Sequence, residues 1–401
     1  MLEDSNKLWW DEITGPASLV REIASNLQNA KSVLLYVPDD LPWRKQMRSS
    51  VDRVLRECDP DLLVDYVDCK MDCVSNAKGN IDISEFLLNR YAYPNIKSGY
   101  RTSSHISKQQ YILQNNVLQN RVIWVKGMTR QHVQSWLTFC KDYKSKSRYD
   151  GLFVIESYDE HLQYGMDSSM KTLRYSDFVN YYDALLFNNM ILSSSHRSLE
   201  WMQYISTVAS LLCKLDVELS ESLINQSDLA IESPIDSLRN IAADTYYLNR
   251  YEAEHLAIQH PFALIRTDRC DEMQHIVWQA QLQVLFPLIE AERITFIKQH
   301  YVEIEKALDE AYFDFGKCTN LYITQFGERI SDPYDVDIGT IYRMNHLRKA
   351  SDVSLYMLFL PKMEDRDRLA LLHEMRNLIA HVETCTIKQV AEFLSSYPYN
   401  W

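Results

Sequence analysis

The chain has 401 residues, 46% of them hydrophobic, and a formal net charge of −13. That length exceeds what one hydrophobic core usually serves, so two or three packed units are expected. The acid excess argues against a protein whose main task is to coat nucleic acid, because phosphate contacts need clustered Lys and Arg, but it leaves room for a small local basic site.

Apolar runs such as residues 32–37 and 205–212 fall well short of the roughly 20 residues that cross a bilayer. The opening Met1-Leu2-Glu3-Asp4-Ser5 carries acids where a secretory signal carries cations. Of eight cysteines only Cys69 and Cys73 lie close together, without the second pair that a zinc site needs. These features predict a cytoplasmic protein with reduced thiols, no membrane partner, no metal site and no cofactor.

In chain order, residues 16–30, 43–58 and 131–143 space their apolar side chains as helices do, while 32–37, 62–67, 121–125 and 152–155 are short β-branched runs that read as buried strands. This alternation predicts an α/β amino-terminal domain, a parallel sheet with flanking helices. Residues 77–109 are rich in Asn, Ser, Gly and Tyr and read as an irregular insertion. From residue 196 onward strand signals fade, and the 9 glycines of the whole chain suit an all-α region with few special turns. Long helices are expected over 199–219, 237–260, 274–309, 338–359 and 365–381. His260-Pro261 marks a break and Pro287 a kink or boundary. Residues 327–334 form a turn-rich loop. The expected plan is an α/β domain over 1–195, a helical connector over 196–260 and a helical domain over 261–401.

The segment after the first strand, Pro38-Asp39-Asp40-Leu41-Pro42-Trp43-Arg44-Lys45-Gln46-Met47-Arg48-Ser49-Ser50, holds Lys45 and Ser49 but no glycine, two prolines and two aspartates. A phosphate loop needs glycines so that backbone amides can turn inward, and aspartates would repel its ligand. The third strand ends in Val125-Lys126-Gly127, without the acidic pair that would hold magnesium. The order of elements resembles a degenerate P-loop NTPase core of the AAA or STAND type whose catalytic loops are lost.

Near the carboxyl end stands Leu371-Leu372-His373-Glu374-Met375-Arg376-Asn377-Leu378-Ile379-Ala380-His381. An arginine stabilises phosphate charge, a histidine moves a 2′-hydroxyl proton near neutrality, and an asparagine orients either group. His373, Asn377 and His381 are spaced four apart and Arg376 three after His373, so a helix sets them on a shared polar side. Leu371, Leu372, Met375, Leu378, Ile379 and Val382 form the opposite, core side. A basic run, Arg343 to Lys349, precedes this helix. Arg376-Asn377-x-x-x-His381 resembles the signature of the HEPN superfamily over the last 115 to 140 residues. The resemblance implies a compact helical bundle, a homodimer in which two motifs meet, and metal-independent cleavage of an RNA substrate. His381 would be the general base, Arg376 the stabiliser of phosphate charge and Asn377 the positioning group. Such an enzyme suits a toxin or prokaryotic antiviral defence effector whose amino-terminal domain senses or docks a partner. The competing class is a non-catalytic subunit that binds partner proteins in a larger assembly. His255 and His260, with Glu252 and Glu254, do not share a helix face and read as capping or exposed residues. The pairs Tyr181-Tyr182 and Tyr246-Tyr247 read as packing residues.

Overall fold

The computed structural model describes residues 5–72, 82–100, 106–145, 147–158, 169–244, 246–247, 257–315, 330–349 and 352–401. They divide into two units. The first comprises the described residues up to Phe187 with Leu215–Glu218; the second comprises those of Asn188–Lys214 and of the chain beyond Glu218.

The first unit alternates helices and strands in the predicted order: α1 (Thr14–Gln28), β1 (Ser32–Tyr36), α2 (Arg44–Cys58), β2 (Leu63–Asp68), α3 (Ile83–Tyr91), α4 (Lys108–Gln114), β3 (Arg121–Lys126), α5 (Arg130–Tyr143), β4 (Leu152–Ser157), β5 (Met170–Arg174) and α6 (Tyr181–Leu192), the last of which runs across the boundary between units. The five strands form one parallel sheet of order β2-β3-β4-β1-β5. β1 and β4 are buried along their whole lengths, which is why they read as unbroken apolar runs rather than alternations. Trp136, Phe139, Tyr143 and Phe153 interlock between α5 and the sheet at centroid separations of 5.5–6.2 Å, the span of favourable edge-to-face and offset contacts.

Three expectations for this unit change. β2 is an edge strand, not a buried one, with Leu63 and Tyr66 exposed; apolar composition alone does not distinguish a strand covered on both faces from one at a sheet margin. β5 was not expected, and only Leu173 of its five residues is buried, so its sequence carries little periodicity. The described parts of the 77–109 insertion are helical. Asp82 accepts from Glu85 N to cap α3, Ser107 accepts from Gln110 N to cap α4, and Pro94 opens a short helix over Pro94–Gly99; these are helix-start signals that the polar composition concealed. Residues 77–81 and 101–105 lie outside the described residues.

The second unit is helical: α7 (Leu199–Cys213), α8 (Val217–Gln226, whose first two residues belong to the first unit), α9 (Pro234–Ala242), α10 (Pro261–Arg266), α11 (Cys270–Gln299), α12 (Tyr301–Phe315), α13 (Ile338–His346), α14 (Met363–Ala380) and α15 (Ile387–Ser395). The expected helix 199–219 is broken at Lys214, whose φ of 54° no right-handed helix passes through. The expected 237–260 helix stops at Ala242; most of its remainder, with Glu252, Glu254 and His255, is outside the described residues. His260 is the N-cap of α10, its Nδ1 accepting from Phe262 N at 3.2 Å, with Pro261 at the first helical position. Pro287 neither ends nor splits α11, which runs 30 residues and stops at His300. An interior proline costs about 3 kcal/mol; here α11 packs along α7 and α14, with Val284, Leu285, Ile289 and Phe296 buried on either side of Pro287, and that burial offsets it. The 338–359 helix ends at His346. Asp352 turns the chain through Ser354 N and Oγ, and an antiparallel bridge joins Arg348 to Tyr356. α15 was not expected, although its Thr386/Gln389 capping box is a sequence signal.

Among the described residues no helix is long and apolar enough to cross a membrane. Cys69, Cys140, Cys213 and Cys385 are buried and form no disulfide among the described residues; Cys73 and Cys318 lie outside the described residues.

Candidate functional site

The motif lies on α14, which packs against α11, α13 and α15. Leu371, Leu372, Met375 and Ile379 are buried as expected and anchor the helix. Arg368, two turns before the motif, is part of that anchor. Its guanidinium makes a bidentate pair with Glu292 at 2.5–2.9 Å, both 3% exposed, and also donates to Phe393 O and Ser396 Oγ.

Beyond Arg368 the polar face opens to solvent. Arg376 Nη1 donates to Asn377 Oδ1 at 3.3 Å, and Asn377 Nδ2 lies 2.9 Å from His373 Nε2. A guanidinium can only donate, so the amide oxygen faces Arg376 and the amide nitrogen donates to His373. His373 therefore accepts at Nε2 and carries its proton at Nδ1. Burial first, and then the positive charges of Arg343, Arg376 and His346, hold the His373 pKa below its ordinary value against the upward pull of Asp337. At neutral pH the ring is uncharged, as the hydrogen-bond series requires. Among the described residues no carboxylate pairs with Arg376, whereas Arg48, Arg53, Arg56, Arg121 and Arg368 are each paired.

The structure brings Arg376, Asn377 and His373 together and leaves His381 at the helix end. α14 stops at Ala380 and His381 is its C-cap, exposed, so it does not continue the stack of His373 and Asn377. No hydrogen bond or ion pair joins its ring to the series among the described residues. The turn beyond it satisfies the last carbonyls: Glu383 N donates to Leu378 O at 2.8 Å, Val382 N to Ile379 O at 3.3 Å, and Trp278 Nε1 on α11 to Ile379 O at 2.7 Å. The first two bonds form a Schellman motif, whose left-handed position usually holds glycine. Here it holds Val382, at φ 65° and 55% exposed. Val382 is therefore not a core residue, and a β-branched side chain is held in a strained conformation next to the motif histidine.

Residues outside the motif complete the face. The Tyr342 ring on α13 stacks on His373 at 4.4 Å and 13°, and also meets His346, tilted by 44°, at 4.3 Å. Asp337 caps α13 through Thr340 N and Oγ1 at 3.0 Å, so its carboxylate is engaged. The Tyr342/His346 spacing of four was readable in the sequence; its meeting with His373 was not.

In the first unit the segment after β1 is closed on itself. The Arg44 guanidinium donates to Pro38 O at 2.8 Å and to Asp39 O, so this loop offers carbonyls to a cation, the reverse of the inward amides that hold phosphate. The guanidinium also sits 4.8 Å over the Tyr158 ring. An acid does stand at the end of a strand, Glu156 on β4, fully buried. It accepts from Arg48 Nε and Nη2 at 2.7–3.0 Å and from Trp124 Nε1 at 2.9 Å. Burial works against the Arg48 charge, and the Glu156 carboxylate more than restores it, raising its pKa. Both oxygens of Glu156 are occupied by protein donors.

Among the described residues no three His, Cys, Asp or Glu side chains converge as metal ligands. Compared with known proteins, the chain matches no family model, no curated protein and no solved structure.

Proposed function

We propose that this protein is a metal-independent, HEPN-type endoribonuclease, a toxin or antiviral defence effector, with the second unit as the catalytic part and the first as sensor or partner dock. The observation that carries the reading is Arg376. Its guanidinium is exposed in part, pointed by Asn377 and paired with no carboxylate among the described residues, in a protein of net charge −13. Such a cation is available to a phosphate. In the reaction, His381 takes the proton of an RNA 2′-hydroxyl, the 2′-oxygen attacks the adjacent phosphorus, and the bond to the 5′-oxygen breaks. The products are a 2′,3′-cyclic phosphate and a 5′-hydroxyl, the departing 5′-oxygen taking up a proton in place of the one His381 removed. Arg376 neutralises charge on the phosphoryl oxygens, and Asn377, anchored on His373, orients it. In a homodimer two copies of the motif would combine, so that His381, set apart from the hydrogen-bonded series within one chain, meets it from the other.

Purified protein incubated with total RNA in EDTA is expected to give fragments ending in cyclic phosphate. Arg376→Ala is expected to slow cleavage by about 10²–10³-fold, the effect of removing one charge-stabilising donor, and His381→Ala by about 10²–10⁴-fold. Undiminished cleavage by the Arg376→Ala, His381→Ala double variant would overturn the assignment.

A second reading has its own observation. The carbonyl-lined, Arg44-filled loop after β1 supports a degenerate P-loop core that no longer handles nucleotide, which suits a binding subunit of a larger assembly. In that case function survives His381→Ala.

A further inference from the structure

His346, Tyr342 and His373 form a pile of three aromatic rings across α13 and α14, with His373 stacked on Tyr342 at 4.4 Å and His346 tilted by 44° against Tyr342 at 4.3 Å. Each histidine is held in place. His346 Nδ1 lies 2.8 Å from Tyr342 O, which can only accept, so the ring donates there; His373 is fixed by Asn377. A rigid ring costs little to order on binding. The outer ring, His346, is exposed.

Positive charge prevails around the pile. Arg343 and Arg376 act electrostatically on His373, and neither has a carboxylate partner among the described residues. Arg348 covers the Tyr356 ring at 3.5 Å and donates to Ser354 O rather than to an acid. The Asp337 carboxylate, which pulls the other way on His373, is engaged in capping α13. Packing alone explains neither feature, since a buried stack needs no exposed end and an acidic protein has acids to spare for its arginines.

We infer that this face binds single-stranded RNA, with an unpaired base stacked on the exposed end of the His346–Tyr342–His373 pile and the adjoining phosphates held by Arg343 and Arg376. A duplex keeps its bases inside the helix and cannot offer one to the pile; a single strand can, and bases of any identity have a face to stack. The inference rests on the ribonuclease reading in one respect, that the motif face meets RNA, and adds to it the form of RNA taken and the residues that select it.

The test uses the full chain and a fluorescent 2′-O-methyl oligonucleotide, which cannot be cleaved because its 2′-oxygen carries no proton. Anisotropy is measured for the single strand and for its duplex, in EDTA. The single strand is expected to bind about tenfold or more tightly than the duplex. His346→Ala and Tyr342→Leu are expected to lose about tenfold, the scale of one stacked base, while Tyr342→Phe keeps wild-type affinity. Arg343→Gln is expected to flatten the salt dependence by about one phosphate contact. Equal affinity for both forms, affinity unchanged in both ring variants with circular dichroism unaltered, or no binding by the parent would each overturn the inference. Cleavage of ordinary RNA, scored in parallel with His381→Ala, separates the two readings. Ring-dependent binding without cleavage sinks the ribonuclease and leaves the binding face standing, while cleavage that ignores the ring variants does the reverse.

Discussion

Two arginine clusters, one in each unit, use the same side chain in opposite ways. In the first unit Arg48 and Arg44 converge on Glu156, which is fully buried and takes a further bond from Trp124. Both oxygens of the one carboxylate are used, and Arg44 spends further donors on Pro38 O and Asp39 O, so the cluster is closed by protein partners. In the second, Arg343 and Arg376 surround a neutral histidine with no acid of their own, on a face reached by solvent. A carboxylate in the right place makes an arginine structural; its absence leaves a cation in search of an anion. The contrast recurs along α14 itself, where Arg368 is locked to Glu292 and Arg376, two turns on, is not.

Breaking the closed cluster should have the largest effect. Glu156→Ala leaves Arg48 buried without its partner and is expected to destabilise the first unit by about 3–5 kcal/mol, measured by denaturant unfolding. A loss of only a few tenths would mean that the cluster is open to water and its contrast with Arg376 is false. Next comes the strain beside the open face. Val382→Gly relieves a β-branched residue at φ 65° and is expected to stabilise the second unit by about 1 kcal/mol, read as a shift in the urea midpoint at constant slope. A destabilised variant would show that Val382 packs in a way that outweighs its backbone cost.

The smallest effect is on pH dependence. The folded-state pKa values of His373 and His300 are both lowered, chiefly by burial, whereas the unfolded values lie near 6.5. Below that pH the unfolded chain binds more protons, so stability contributed by these rings is complete above about pH 6.5 and is lost as pH falls toward their folded values. For His373 the opposing charges are Asp337 against Arg343, Arg376 and His346; for His300 they are Glu303 and Asp365 against Lys362. Unfolding measured on either side of pH 6.5 should show the decline, and His373→Gln should reduce its slope. An unchanged slope in that variant would mean that His373 titrates alike folded and unfolded and that the arginines beside it are screened.

Much of the candidate site was legible because it is local. Residues 373 to 380 sit on one helix, with His381 as its cap, and the leucine, methionine and isoleucine spacing places their polar side outward whatever surrounds them. Two details failed at the helix end. His381 does not extend the stack, and Val382 is exposed, because a Schellman turn replaces the last turn of helix and no glycine announced it. The closed cluster was illegible for another reason: Arg48 and Glu156 are far apart in the chain, and nothing in either segment names the other.

By itself the sequence determined the alternation that yields a parallel sheet, the helical second half, the break at His260-Pro261 and the motif helix, since each depends on periodicity or on backbone chemistry within a few residues. Tertiary structure alone decided that β2 is an edge, that α11 runs through Pro287, that Glu156 is consumed by Arg48, and that Tyr342 lies on His373. These outcomes depend on which surfaces meet, and burial and pairing between distant segments have energies of several kcal/mol, enough to override what any short stretch prefers.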